Sequence, residues 1–342
     1  MTTIRYPWET PPENGEMIEI AEGVHWLRLP LPMKLDHVNI YVLDDGDGWT
    51  LIDTGMKSRR VQAMWQAVLD GPLRGKPVKR VVATHHHPDH IGFHGWFVEE
   101  FGAEYVSTQV AYLMGRMLTL DVEERYTTGQ IAFYRRAGMR SDLLAARQDE
   151  RPFNFSDMVH PIPIGFTRIQ EGDVIEMGGR SWDVRVDHGH APDHATFWSR
   201  DDNLVLCGDQ VIASISSNIG VYPTEPDANP LADWFDSCAR LQNFARADHL
   251  ALPGHKLPFV GMPMRLRQLE ENHHGALTRL RADLKTPKTA GEVMMAVFKR
   301  QIGDGEYGLG LVEAFAHCNY LWHAGEVTRS LHQDGAYRWV MN

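Results

Sequence analysis

Histidine and aspartate crowd one short stretch of this chain, residues 81–92, which read VVATHHHPDHIG. His85, His87, Asp89 and His90 stand there at H-x-H-x-D-H spacing. Imidazole and carboxylate are the borderline ligands that zinc, iron and manganese accept. The apolar run Val81, Val82, Ala83 reads as the end of a buried strand, and a helical segment is expected to begin near Gly92. On an extended strand end residues i and i+2 point the same way, so His85 and His87 can share one ion. The following turn, stiffened by Pro88, swings Asp89 and His90 to a second position nearby. A single loop histidine is usually a turn or hydrogen-bonding residue. Four potential ligands in six positions outweigh that reading if the fold brings more of them from elsewhere.

Three further strand ends carry the same residue types. Asp187-His188-Gly189-His190 follows WDVRV, Asp209 follows LVLCG, and His255 follows LALPG. Glycine beside each lets a strand stop and leaves its last polar side chain over the sheet edge. The set then offers five neutral imidazoles and two carboxylates. That is enough for two ions sharing one carboxylate, with room for water.

The elements that must hold these ends are short strands and a few helices. Residues 1–16 read as a Pro- and Glu-rich arm. From Met17 the chain alternates in strand fashion through MIEIAEGVHWLRLP, HVNIYVLDDG and GWTLIDTGM, with Asp-Gly turns between. Asp53 closes the third of these. Val61, Met64, Trp65 and Val68 fall on one face of a helix over 57–69, and a strand is expected over 78–83. Residues 109–150 read as a helical insertion, either core filler or a cap whose Met, Tyr and Phe line an acyl or aromatic pocket. Strand patterns return in FTRIQEGDVIEMGG, SWDVRVDH, NLVLCGDQ and at 250–253, with a helix over 231–247 between the last two. The remainder, 263–342, reads as three helices and a terminal strand without a ligand cluster, His273 and His274 being placed on the surface.

Composition bounds the function. A length of 342 residues suggests two domains, or one large domain with an appendage, and 43% hydrophobic content supplies a sizeable core. The formal charge of -11 argues against a general polyanion binder. Three scattered cysteines, Cys207, Cys238 and Cys318, argue against a disulfide framework and for a reducing cytoplasm. The N-terminal stretch has no apolar h-region and no run reaches a membrane span, so neither export nor a membrane partner is expected.

The order Asp53; His85, His87, Asp89, His90; His190; Asp209; His255 resembles the metallo-β-lactamase superfamily in its two-metal, glyoxalase II-like form, over roughly residues 17–262. The resemblance implies an α/β fold, an αββα four-layer sandwich with the site at one edge between two sheets. Here it would carry the helical insertion and a small C-terminal winged-helix-like domain. It also implies that His85, His87 and His190 hold one ion, that Asp89, His90 and His255 hold the other, and that Asp209 bridges them. Asp53 takes the part of an acid that orients the site, and Asp89 that of a proton carrier. His194 is expected as a polar neighbour, and His86, His94 and His188 as structural or pocket-lining residues.

GDQVIASISSNIG, LADWFDSCARL and PGHKLPFVG, followed by the C-terminal helices, resemble the branch that includes β-lactamase-like protein 2, some of whose members cut RNA. A true β-lactamase is disfavoured by the presence of both Asp89 and His90. The implied activity is metal-dependent hydrolysis by a hydroxide shared between two divalent ions, zinc first, iron or manganese otherwise. The favoured substrate is a small thioester or ester. A phosphodiesterase or ribonuclease is the second reading, although the acidic balance disfavours nucleic acid. A lactonase is the third, weakened by Ile212 where acyl-homoserine lactonases place a Tyr. An iron-bound redox or binding module is the fourth, disfavoured by His87 where those relatives use a Glu. The C-terminal region is expected to supply a homodimer interface or one wall of the cleft.

Overall fold

Most of the apolar residues in the first strands are buried on both faces, which demands a layer on either side of each sheet. The computed structural model describes residues 3–342 and supplies those layers. The first sheet has seven strands in sequence order: β1 (Met17–Ala21), β2 (Val24–Pro30), β3 (His37–Asp44), β4 (Trp49–Ile52), β5 (Val78–Val82), β6 (Glu104–Ser107) and β7 (Thr167–Arg168). β1 to β4 are antiparallel, and β4 to β7 run parallel. The helices on its outer face are α1 (Arg59–Asp70), α2 (Pro88–Ile91), α3 (His94–Phe101), α4 (Gln109–Leu120) and α7 (Phe155–Met158), whereas α5 (Thr128–Arg136) and α6 (Ser141–Asp149) pack on the C-terminal domain. The second sheet is ordered β13-β12-β11-β10-β9-β8, built from β8 (Val174–Met177), β9 (Arg180–Asp187), β10 (His194–Ser199), β11 (Leu204–Gly208), β12 (Leu250–Pro253) and β13 (Phe259–Val260). Outside it lie α8 (Pro230–Gln242), α9 (Met262–Asp283), α10 (Ala290–Phe298) and α11 (Asp304–His323), and the chain ends in the hairpin β14 (Val327–Leu331) and β15 (Tyr337–Met341).

Between the sheets, Trp26, Tyr41, Val82 and Val106 meet Trp182, Val184, Phe197 and Leu252. On the outer face of the first sheet Leu27, Leu29 and Ile40 pack under Trp65 of α1 and Phe97 of α3. Each such aliphatic side chain, fully buried, contributes roughly 1.5–3 kcal/mol. Adjacent residues Trp26 and Leu27 thus serve opposite layers, as the two-residue strand period requires. Ser58 caps α1 by accepting from Val61 N, and the stripe Val61, Trp65, Val68 is buried as its spacing predicts.

Several elements differ from the sequence reading. The helix expected near Gly92 is α3, from His94, but a single helical turn precedes it from Pro88 and breaks at Gly92 and Phe93. A side chain on Gly92 would collide with the backbone of Gly55 to Lys57, which fixes glycine at that break. β10 was not anticipated because its residues are buried on both faces and show no alternation. β6 and β13 are too short to carry a pattern. The terminal strand has a partner in β14. His273 is 1% exposed, a buried residue of α9 facing Glu313 and His317 of α11, so the C-terminal region does hold a cluster of potential ligands; His274 is exposed as expected.

The C-terminal helices share one continuous core with α8 and α5, through Trp234, Leu277, Phe315 and Phe133. The insertion therefore divides. α4 lies beside the first-sheet helices, its Gly115 close to Ile91, Ile162 and His86. α5 instead docks on the C-terminal domain, with Phe133 against Phe315 and Gly291 N donating to Ala137 O. From residue 3 the N-terminal arm follows the sandwich, Arg5 pairing with Val260 of β13; residues 1 and 2 of that arm lie outside the described residues. No helix among the described residues is long and apolar enough to cross a membrane.

Candidate metal centre

Five strands deliver polar residues to one edge of the sandwich, each from its carboxyl end. Asp53 follows β4, and His85 follows β5. His190 follows β9, Asp209 follows β11, and His255 follows β12. α2 supplies the rest: His87 at its N-cap, Asp89 and His90 in its single turn. Two close approaches depend on glycine. A side chain on Gly254 would run into Asp209 Oδ1 and His90, and one on Gly208, at φ +48°, into His194 and Thr84.

All seven expected ligands converge. Their donor atoms form three overlapping groups, each within 4.8 Å: His85, His87, His190; His85, His90, Asp209; and Asp89, His90, His255. Asp209 lies between the sets, Oδ2 being 3.6 Å from His190 Nε2 and 3.2 Å from His255 Nε2, and Oδ1 3.5 Å from His90 Nε2. Asp89 Oδ2 sits 3.4 Å from His255 Nε2 and 3.7 Å from His90 Nε2.

The imidazoles are oriented from behind. His90 Nδ1 donates to Asp53 Oδ2 at 2.7 Å, His255 Nδ1 to His37 O at 2.7 Å, His190 Nδ1 to Asn218 O at 2.8 Å, and His85 Nδ1 to Thr84 Oγ1 at 3.0 Å. With each Nδ1 proton directed outward, the Nε2 lone pairs face the centre. His87 is turned the other way, its Nδ1 3.0 Å from His85 Nε2. Asp53 also accepts from Thr84 N and Thr84 Oγ1, at 2.9 and 2.8 Å, and holds a left-handed φ of +62° at the strand end. Such a conformation in a non-glycine residue costs about 1–3 kcal/mol and is kept where the surroundings demand it.

The centre is chemically incomplete without a cation. His90 Nε2, His190 Nε2 and Asp209 Oδ1 are buried and have no hydrogen-bond partner, a condition that native interiors otherwise avoid. Borderline nitrogen donors beside carboxylate oxygen suit zinc, iron or manganese. Electrostatics divide the donors in two. Burial and the neighbouring imidazoles hold His85 and His87 well below the usual histidine range, hence neutral. Burial also opposes charge on His90 and His255. There Asp209 and the other carboxylates prevail, raising His90 well above its usual value and His255 to about 10. Burial pushes against Asp209 too, but His255 and His90 hold it well below the usual carboxylate range.

The remaining histidines take other places. His194 Nε2 accepts from Asp209 N at 3.0 Å and its ring stacks on His85. His94 pairs with Thr54 Oγ1, His86 is buried beside Phe155, and His188 is exposed, accepting from Asp193 N. Asp187 turns away to Arg240. Thr84, His37 and Asn218 were not anticipated. Two of them act through backbone carbonyls, which any residue type could supply, and only Thr84, beside His85, stood within the motif. A hollow of about 490 Å³ lies behind the His190 loop, lined by His188, Asp193, Arg240 and other polar residues, and none of the seven converging side chains borders it.

A four-layer sandwich with a two-part His/Asp cluster at its edge defines a class of metal-dependent hydrolases. The chain belongs to the metallo-beta-lactamase superfamily, whose model matches residues 33–256; a second model, the metallo-beta-lactamase-like C-terminal domain, matches residues 277–342. It is 26% identical over 307 residues to the probable metallo-hydrolase YqjP of Bacillus subtilis (strain 168), covering 88% of this chain and 92% of that protein. Among solved structures it resembles a beta-lactamase domain protein from Burkholderia ambifaria, with a TM-score of 0.90, 34% identity and 99% and 98% of the two chains covered. It also resembles the metallo-beta-lactamase family protein TTHA1429 from Thermus thermophilus, with a TM-score of 0.79, 27% identity and 95% and 100% covered.

Proposed function

We propose that this chain is a dinuclear, glyoxalase II-like hydrolase of small thioesters or esters, of the branch that includes β-lactamase-like protein 2 and with a winged-helix-like C-terminal domain. The observation that carries the dinuclear reading is the position of Asp209, whose two oxygens face donors of both sets. Two divalent ions, zinc in this reading, would supply Lewis acidity and bring the pKa of a shared water towards about 7. His85, His87 and His190 would hold one ion, Asp89, His90 and His255 the other, with Asp209 common to both. Asp89 keeps carboxylate capacity beyond one ligand bond, so it can accept the proton that the nucleophile loses and pass it on. Asp53 fixes His90 and Thr84 and does not itself meet the substrate.

For the substrate, support comes from the chain's acidity. α4 packs on Ile91 of α2 through Gly115, and Leu113, Met117 and Leu120 form an exposed apolar strip on its other side. The test is metal analysis by mass spectrometry together with a panel of thioesters, esters, lactones, phosphodiesters and short RNA. Two equivalents of metal and turnover confined to the thioesters or esters are expected. Turnover of RNA alone would put the phosphodiesterase reading first, and one equivalent or none would remove the dinuclear one.

A further inference from the structure

The loop between Asp209 and α8 is held less by the sandwich than by the C-terminal domain. Arg265 of α9 donates to Ile212 O at 2.6 Å and Ile215 O at 2.7 Å. Val221 N donates to Val312 O of α11, and Ile219 and Val221 are buried in the core that α11 shares. In the middle of this loop stands Asn218, whose carbonyl receives the Nδ1 proton of His190. Its side-chain amide donates to Glu313 Oε2 at 2.8 Å and to Leu309 O at 3.2 Å, both from α11, while Tyr222 Oη donates to its Oδ1 at 3.4 Å. The neighbouring Ser217 hydroxyl donates to the carbonyl of Asp209. One short segment therefore touches both the backbone of Asp209 and the imidazole of His190, and a side chain from another domain fixes its position.

We propose that Glu313 is a positioning residue for the metal centre: it holds Asn218, and through the Asn218 carbonyl it sets the tautomer and direction of His190. The inference rests on the metal-site reading above, and it singles out one half of that site. His90 and His255 take their orientation from Asp53 and His37, within the first sheet, so Glu313 bears on the His85, His87, His190 set alone. What Glu313 supplies is an acceptor oxygen rather than a charge. Burial pushes its carboxyl up to about 8, and in either protonation state the amide of Asn218 has an oxygen to donate to. A neutral isostere should therefore serve as well as glutamate does.

The experiment is a Co(II) titration of the metal-free full-length chain, followed by absorption and calorimetry, for wild type, Glu313→Gln, Glu313→Leu and Asn218→Ala. Losing a residue that orients a ligand typically lowers metal affinity by roughly 10- to 100-fold. That loss is expected for one of the two equivalents in Glu313→Leu and Asn218→Ala, the other staying within about twofold. Glu313→Gln should match wild type on both. Unchanged binding in Glu313→Leu, equal weakening of both ions, or damage by Glu313→Gln equal to that by Glu313→Leu would overturn the proposal. Asn218→Ala decides the matter if Glu313→Leu fails to fold, because Asn218 lies in a half-buried loop. Wild-type protein that bound no pair of ions would refute the dinuclear reading instead, so the two failures are told apart.

Discussion

The two halves of the centre present nearly the same ligands and are supported in opposite ways. Around Asp89, His90 and His255 the anchors are Asp53 and the His37 carbonyl, both next to strands of the first sheet, and the local charge favours protons or cations. Around His85, His87 and His190 the donors are neutral imidazoles, one of them oriented from a loop that α9 and α11 hold in place. Charge can attract an ion to the first half even if its geometry drifts. The second offers little charge, so its affinity depends on lone pairs meeting at a point.

The largest effect should come from removing the residue both halves use. Asp209→Ala is expected to abolish hydrolysis and lower affinity at both ions while the chain stays folded. Normal turnover with unchanged metal content would contradict the shared role. His87→Ala should also abolish turnover but leave one equivalent of metal bound. Next comes Asp53→Ala, which strips His90 and Thr84 of their acceptor and should weaken the acid-rich ion by roughly 10- to 100-fold with the other little changed. A uniform loss at both ions would break the division.

Acidity sharpens the comparison further. Against the cost of burial, Asp209 and Asp89 push the His255 imidazole up to about 10, above its usual value, so an ion entering that half must displace a proton. Affinity there should rise about tenfold per pH unit for each proton displaced, from about pH 6.5 to 8.5. At the His85, His87, His190 set, already neutral, it should be flat over the same interval. Competition titrations against a chelator measure both slopes. The same raised value stabilises the metal-free fold fully below the unfolded histidine pKa of about 6.5 and is lost as pH rises through about 10. Thermal unfolding of metal-free protein should therefore show a falling midpoint across that window.

The convergence of the seven side chains was legible because they stand at strand ends beside glycine, where a short motif and a two-residue period reveal direction. Their anchors were not. The carbonyls of His37 and Asn218 leave no mark in residue type, and Glu313 lies 95 positions from Asn218. His273 is a different miss. It falls on the stripe Leu266, Leu269, Ala276, Leu277 and Leu280, all buried in α9, so helical spacing alone could have moved it from the surface to the core. The charged residues on the other faces of α9 obscured that stripe. β10 was hidden for the opposite reason, being buried on both faces, its polar His194 and Thr196 included, where an alternation would have announced a strand.

The smallest expected effect tests where the two halves join. The Thr84 hydroxyl donates to Asp53 Oδ2 and accepts from His85 Nδ1, so it links the anchor of the acid-rich half to a ligand of the neutral one. Thr84→Val keeps the volume and removes both bonds, leaving the buried Nδ1 proton of His85 without an acceptor and Asp53 with one donor fewer. An unsatisfied buried group costs about 1–3 kcal/mol, part of which relaxation and the bound ions recover. Both equivalents should then weaken by similar, few-fold amounts, unlike the one-sided losses at Asp53 and Glu313, and Thr84→Ser should restore them. If Thr84→Val weakened only the ion held by Asp89, His90 and His255, the hydroxyl would serve Asp53 alone, and the two halves would be joined only by Asp209.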